Sequence, residues 1–86
     1  MAHTETDVLA GLAEIVAEET GLPTGAVQPD KSFTDDLDID SLSMMTIVTH
    51  AEDMFSVRIP DEDVAKLATI GDAVNYIVGA TSAATV

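Results

Sequence analysis

The sequence predicts an all-α fold, a four-helix bundle with a long loop between its first and second helices and a short third helix. Apolar residues recur at helical spacing in separate segments. Residues that cap helices stand before three of these segments. The alternating stretch DLDID, residues 36–40, has no partner run of β-branched residues, so no strand is predicted. At 86 residues, the chain is expected to form one domain, residues 1–86.

The first helix is predicted over residues 4–20. Thr4 and Asp7 have the spacing of a capping pair, and Gly21 followed by Pro23 is a stop signal. The apolar residues that share one side of this helix are Val8, Leu9, Leu12, Ile15 and Val16.

Residues 21–40 contain prolines and glycines without helical periodicity and are predicted to be one long connection. Loops of this length are uncommon unless they pack against the core or have a function. Four apolar side chains are expected to fasten it to the core: Leu22, Val27, Phe33 and Leu37.

The second helix is expected to begin at Asp40 or Ser41, with Asp40 as N-cap, and to end near Phe55. The segment PDEDVAKL has room only for a short third helix. A capping pair, Thr69 and Asp72, introduces a last amphipathic helix to about residue 79. The ordered core is therefore expected over residues 4–79, with residues 80–86 as a disordered tail.

The composition restricts the classes of function. A formal charge of −13 excludes nucleic-acid binding, because a phosphate backbone must be met by basic side chains, and it predicts partners with basic patches. No cysteine is present to form a disulfide or act as a nucleophile. The N-terminus lacks the features of a signal peptide, and no apolar run approaches the ~20 residues that span a bilayer. We expect a cytoplasmic protein.

The aspartates before Ser41 invite comparison with a calcium loop. Asp36, Asp38 and Asp40 match the first three ligand positions of an EF-hand. The positions that require glycine and a bidentate glutamate hold Ser41 and Ile47 instead. We therefore expect no dedicated metal site, although weak divalent-ion binding to the clustered carboxylates is expected.

Ser41 has no partner for hydrolytic chemistry in the sequence. His50 is nine residues away on the same predicted helix, a rise of about 13 Å, so the two side chains cannot form a hydrogen bond. A helix N-terminus does favour a phosphate esterified to a serine. From position alone, Ser41 is either a cap or such an attachment site.

A family resemblance bears on this choice. The segments GLAEIVAEETGL, KSFTDDLDIDSLSM, AEDMFSVRIPDEDV and TIGDAVNYI resemble a discrete acyl carrier protein of type II fatty-acid synthases, particularly those of actinobacteria. The resemblance covers roughly residues 5–78 and implies the four-helix acyl-carrier-protein fold. Its motif is DSL at residues 40–42, in which the serine receives 4′-phosphopantetheine from coenzyme A.

The resemblance implies roles for individual residues. Ser41 would be the covalent attachment site, and Asp40 would assist engagement by the phosphopantetheinyl transferase. Leu42 and Met45 would offer apolar contacts to partner enzymes. Glu52 and Asp53 would be the acidic pair of the partner-binding face. The residues implied to line the core that admits an acyl chain are Phe33, Ile47, Ala51, Phe55, Ile59 and Ile77.

The implied partners are the transferase and the condensing, reducing and acyl-transfer enzymes, each with a basic docking patch. The chain itself would catalyse nothing and is expected to be a monomer. One departure from the family pattern is Thr46, where a glutamate is common. This departure suggests a specialised partner set, such as that of a polyketide pathway.

Two alternatives remain open at this point. One is a peptidyl carrier of nonribosomal synthesis, although the strong negative charge and the segment DDLDIDSL favour an acyl carrier. The other is an unmodified acidic adaptor or divalent-ion-binding protein, which would need neither Ser41 nor a transferase.

Overall fold

The computed structural model describes residues 4–84. Four α-helices follow one another along the chain, and a short 3-10 turn over Thr24–Ala26 lies in the first connection. The helix bounds are α1, Glu5–Thr20; α2, Ser41–Phe55; α3, Asp61–Val64; and α4, Ile70–Ala84. The predicted order of helices, with the long first loop and the short third helix, is therefore confirmed.

The predicted capping residues bound the helices. The hydroxyl of Thr4 accepts a hydrogen bond from the N–H of Asp7, and Gly21 ends α1 with φ of 81°. At α4 the capping pair is reciprocal, since Thr69 Oγ1 accepts from the N–H of Asp72 and Asp72 Oδ2 accepts from the N–H of Thr69. These short-range bonds satisfy backbone donors that a helix start leaves unpaired.

The long loop is joined to the start of α4 by backbone hydrogen bonds. The N–H groups of Ile70 and Gly71 donate to the carbonyls of Lys31 and Pro29, both at 2.9 Å. Within residues 4–84, strand-like pairing is limited to one antiparallel bridge, between Ser32 and Thr69. These bonds hold the loop across the end of the bundle.

Of the four expected apolar anchors, Val27, Phe33 and Leu37 are buried, whereas Leu22 is only partly buried. Ile39 is also buried, at 2% exposure, although it was not among the expected anchors. The loop therefore supplies part of the core directly before it reaches Ser41.

The expected end of the last helix was wrong. α4 continues beyond Gly79 to Ala84, so the tail predicted for residues 80–86 is helical over its first part, and residues 85–86 lie outside the described range. Alanine has the highest helix propensity, and three of residues 80–84 are alanines. Thr81 is buried, and its hydroxyl donates to the carbonyl of Val78 at 3.1 Å.

The core lies where α1 packs against both α2 and α4. Its most deeply buried large side chains come from these three helices: Val8, Leu12, Val16, Ile47, Ile70 and Ile77. The arrangement leaves the N-terminal end of α2 at the surface, next to the long loop and α3.

Candidate functional site

Ser41 is the first residue of α2, and its side chain is exposed. Asp40 precedes it in extended conformation and caps the helix, with Oδ1 accepting a hydrogen bond from the N–H of Ser43 at 2.8 Å. Within the described part of the chain, the Ser41 hydroxyl forms no hydrogen bond. The cap is therefore Asp40, and the hydroxyl of Ser41 is free to react.

The capping bond also acts on the charge of Asp40. The N–H of Ser43, together with its side chain, stabilises the ionised carboxylate and holds the pKa of Asp40 below its usual value. Asp40 therefore stays negatively charged beside Ser41 under mildly acidic conditions.

An open groove of about 320 Å³ lies beside Ser41. Its walls come from α2 and from α3 with the residues that follow it, and its lining is largely apolar. Among the lining residues are Phe33, Ile39, Met44, Met45, Val64 and Leu67. A flexible group attached at the start of α2 would meet this groove first.

The residues expected to form an acyl pocket are all buried, at 5% exposure or less. Five of them line an internal void of about 10 Å³: Phe33, Ile47, Ala51, Ile59 and Ile77. Phe55 is buried elsewhere in the core and does not line the void. A void of this size is about that of one water molecule. An acyl chain could enter the core only if core side chains moved.

The outward face of α2 is apolar or neutral along most of its length. Leu42 is 80% exposed and Met45 is 41% exposed, as expected of residues available to a partner. The hydroxyls of Thr46 and Thr49 donate to the carbonyls of Leu42 and Met45, one helical turn earlier. These threonines therefore present methyl groups and satisfied hydroxyls rather than charge.

The two acidic residues of α2 have different environments. Asp53 is exposed. Glu52 is half-buried, and its Oε2 accepts a hydrogen bond from the backbone N–H of Ile59 at 2.8 Å. Glu52 therefore connects the end of α2 to the loop before α3, a contact that its position on the helix did not indicate.

Two further features were not found from the sequence. Met54 is a large hydrophobic residue, yet it is 46% exposed at the C-terminal end of α2. Tyr76 on α4 donates a hydrogen bond to Asp63 Oδ2 on α3 at 2.7 Å. No local pattern predicts a contact between side chains thirteen positions apart.

Residues 4–84 contain neither a cluster of metal-ligand side chains nor a membrane-spanning helix. Across residues 4–84, no three histidine, aspartate or glutamate side chains come together as a ligand set for a metal ion. Over the same range, no helix combines the length and apolar character needed to cross a bilayer.

Four helices, a long first loop and an exposed Asp-Ser-Leu corner at the start of α2 define the class of small helical carrier domains. The chain matches the family described as "Phosphopantetheine attachment site" over residues 10–77. This match includes the whole of α2 and the corner before it.

Relatives with known names give the family within this class. The chain is 75% identical over 80 residues to the acyl carrier protein of Beutenbergia cavernae, covering 93% of this chain and 98% of that one. It is 69% identical over 80 residues to the acyl carrier protein of Myxococcus xanthus, covering 93% of this chain and 100% of that one. The chain belongs to the acyl carrier protein family.

A solved structure agrees with this assignment. The acyl carrier protein from Enterococcus faecalis superposes with a TM-score of 0.76 at 37% identity, covering 91% of this chain and 99% of that chain. The expected family and fold are therefore confirmed, and neither the peptidyl carrier nor the unmodified adaptor is favoured.

Family membership implies a covalently attached 4′-phosphopantetheine group. The site fits such a group, because an exposed serine hydroxyl without a hydrogen-bond partner among the described residues lies beside an apolar groove. When bound, the group supplies a terminal thiol that holds an acyl chain as a thioester, and the protein has no cysteine of its own to compete.

Proposed function

We propose that Ser41 carries the 4′-phosphopantetheine arm and that the protein presents acyl chains on this arm during fatty-acid or polyketide assembly. The observation that supports this most directly is the exposed hydroxyl of Ser41, which has no hydrogen-bond partner among the described residues, at the corner that Asp40 caps. Among the side chains of the Asp-Ser-Leu corner, only the serine offers a hydroxyl nucleophile.

In this proposal the Ser41 oxygen attacks the coenzyme A phosphorus that bears the pantetheine. The new Oγ–P bond replaces the bond to adenosine 3′,5′-bisphosphate, which leaves, and the serine proton passes to a base on the transferase. Asp40 keeps α2 capped while its carboxylate helps to engage the transferase and its Mg²⁺. The N-terminus of α2 stabilises the resulting phosphodiester anion.

The protein itself then needs no catalytic residue. Tethering raises the effective concentration of the acyl chain at each partner enzyme. We propose that condensing, reducing and acyl-transfer enzymes dock on the exposed face of α2, where Leu42, Met45 and Asp53 are accessible. We propose that the protein acts in the cytoplasm. It would act there as a monomer, because its charge of −13 opposes self-association.

The neutral face of α2 also supports a narrower partner set. Thr46 and Thr49 are uncharged, so this part of α2 offers no carboxylate to pair with a basic docking patch. We therefore propose partners specialised for this carrier, such as those of a polyketide pathway.

The test is the intact mass of the purified full-length chain after incubation with coenzyme A, Mg²⁺ and a broad-specificity phosphopantetheinyl transferase. The wild type should gain one phosphopantetheine, and Ser41→Ala should gain none. Ser43→Ala, which changes another serine in the same turn of α2, should be modified like the wild type. Modification of folded Ser41→Ala, or loss of modification in Ser43→Ala alone, would contradict the proposal.

A further inference from the structure

The short helix α3 is the least anchored wall of the groove beside Ser41. It has four residues, Pro60 provides no side-chain cap at its start, and none of its residues is fully buried. Val64 and Leu67, from α3 and the turn that follows, line the groove but are only half-buried. Helices this short have little stability of their own and depend on tertiary contacts.

A side-chain hydrogen bond connects α3 to the well-packed helix α4. Tyr76 Oη donates to Asp63 Oδ2 at 2.7 Å and makes a longer contact of 3.5 Å with the carbonyl of Arg58. The next residue on α4, Ile77, is 1% exposed, so the backbone that carries Tyr76 is fixed by the core. Tyr76 can therefore hold α3 in place from a rigid helix.

The other partner of Asp63 holds it less firmly. Lys66 lies 3.8 Å from Asp63 Oδ1, but its side chain is 78% exposed and the pair is on the same short segment. An exposed ion pair of this kind contributes little, and it cannot connect α3 to another helix.

The hydrogen bond to Asp63 also affects the ionisation of Tyr76. The hydrogen bond to the Asp63 carboxylate raises the pKa of Tyr76, and partial desolvation and the negative charges of Asp63 and Glu62 add to the effect. Tyr76 is the one tyrosine in the chain, and there is no tryptophan, so its titration can be followed directly.

Three side chains separate the groove from the void in the core. Phe33, Met44 and Leu67 line both spaces. Leu67 follows α3 directly, so a movement of α3 away from α4 would carry it outward. Such a movement would join the groove at Ser41 to the apolar interior.

We propose that Tyr76 is a positioning residue whose hydrogen bond to Asp63 keeps α3 closed over the core and so controls whether an acyl chain enters it, a role that rests on the carrier function proposed above. Breaking this bond should not unfold the bundle, because none of the fully buried core residues comes from α3. Tyr76 would thereby set the equilibrium between an acyl chain held in the groove and an acyl chain inside the core.

The test uses the full-length, unmodified chain, so its result does not depend on modification at Ser41. Hydrogen exchange is measured at the amides of Asp63, Val64 and Ala65, which are bonded to the carbonyls of Pro60 and Asp61. In parallel, mass spectrometry measures the rate at which hydrogen peroxide oxidises Met44, with exposed Met54 as internal reference.

Tyr76→Phe should raise both rates about fivefold, the factor expected for loss of one hydrogen bond of ordinary strength, and leave Met54 oxidation unchanged. Lys66→Ala, which removes the other partner of Asp63, should leave both rates at their wild-type values. Asp63→Ala removes the acceptor and should raise both rates as Tyr76→Phe does. The inference can therefore still be tested if Tyr76→Phe does not fold.

Asp63→Asn keeps an acceptor oxygen but removes the charge. It should therefore retain slow exchange in α3 while the pKa of Tyr76, followed by tyrosinate absorbance, moves back toward its usual value. Wild-type rates in both Tyr76→Phe and Asp63→Ala would overturn the inference. An equal rise at the amides of α1 would also overturn it, because Tyr76 would then support the whole bundle rather than α3.

Discussion

The carboxylate of Glu52 accepts a hydrogen bond from the backbone N–H of Ile59, seven residues further along the chain, at 2.8 Å. Ile59 is buried at 5% exposure, and its N–H would otherwise lack a partner in the turn between α2 and α3. Glu52 thus has a structural role at the position where an exposed partner-binding carboxylate was expected. Asp53, its neighbour in sequence, is the exposed acid.

Glu52→Ala should destabilise the protein more than Asp53→Ala does. Each variant removes one negative charge, so the difference between them reports the hydrogen bond to Ile59. A buried N–H left unpaired costs about 1–2 kcal/mol, which corresponds to a lowering of Tm by several degrees in a domain of this size. Thermal unfolding followed by circular dichroism measures the Tm of each variant. Equal melting temperatures for the two variants would show that the bond contributes nothing.

Gly11 on α1 faces the end of α2, where there is no space for a side chain. A Cβ at this position would lie 2.7 Å from Cζ of Phe55 and 2.8 Å from Sδ of Met54. Met54 can rotate away, but the buried Phe55 ring cannot move without disturbing the core. Overpacking of this kind costs about 1–3 kcal/mol, so Gly11→Ala should lower the free energy of unfolding despite its gain in helix propensity.

Gly79→Ala is the matched control, because among the described residues no atom outside the adjoining helix backbone lies within 4 Å of a Cβ added there on α4. It should stabilise the protein by about 0.5–1 kcal/mol. Urea unfolding should therefore rank Gly79→Ala above the wild type and Gly11→Ala below it. Stabilisation by both variants would mean that the contact with Phe55 is not restrictive.

The cap at α2 should make stability depend on pH. Because the pKa of Asp40 is lower in the folded protein than its usual value of about 3.9, the folded state favours the ionised carboxylate. This contribution is complete above about pH 5 and is lost as the pH falls through the folded pKa. Asp40→Asn removes it, so the stability lost on acidification should be smaller in that variant.

Asp38→Asn provides the control for charge. Asp38 is an exposed aspartate two residues earlier with φ of 55°, a conformation that asparagine also tolerates. The free energy of unfolding of the wild type, Asp40→Asn and Asp38→Asn is measured by urea unfolding between pH 6 and about pH 3. If Asp38→Asn and Asp40→Asn respond to acid in the same way, the effect arises from net charge and not from the bond to Ser43.

A charge added to the neutral face of α2 should strengthen docking to enzymes with basic patches. Thr46→Glu is expected to tighten binding to such a condensing enzyme by up to about fivefold, the equivalent of one exposed ion pair. Thr6→Glu, which adds the same charge to an exposed position on α1, should not. Fluorescence anisotropy measures the affinity of both variants for the enzyme at low and high salt. The gain in affinity of Thr46→Glu should disappear at high salt, because salt screens the ion pair. No gain at low salt would show that Thr46 does not restrict the choice of partner.

Self-repulsion should limit the stability of the protein at low ionic strength. The formal charge is −13, and among residues 4–84 the ion pair between Lys66 and Asp63 is the one that forms. Millimolar Mg²⁺ or moderate NaCl should therefore raise Tm by reducing repulsion. Comparison at matched ionic strength separates binding of Mg²⁺ from screening, and a melting curve unchanged by either salt would contradict the expectation.

The helices and their caps could be predicted because their signals are local. Thr4, Asp40 and the pair Thr69 and Asp72 act within three or four residues, and helical periodicity repeats over the same distance. The end of α4 was missed because a run of small residues resembles a disordered tail until Thr81 is seen to be buried. Ser41 was predicted from its motif to be the attachment site, and the structure shows its side chain exposed at the start of α2.

The sequence by itself determined the order of the four helices, the family and the placement of Ser41 directly after a capping aspartate. Tertiary structure alone decided that Glu52 bonds to Ile59, that Tyr76 bonds to Asp63 and that the core void holds only about 10 Å³. Periodicity and capping describe how a residue relates to its neighbours within one or two turns. Contacts between separate helices depend on how their side chains pack together, and that is settled only when the whole chain folds.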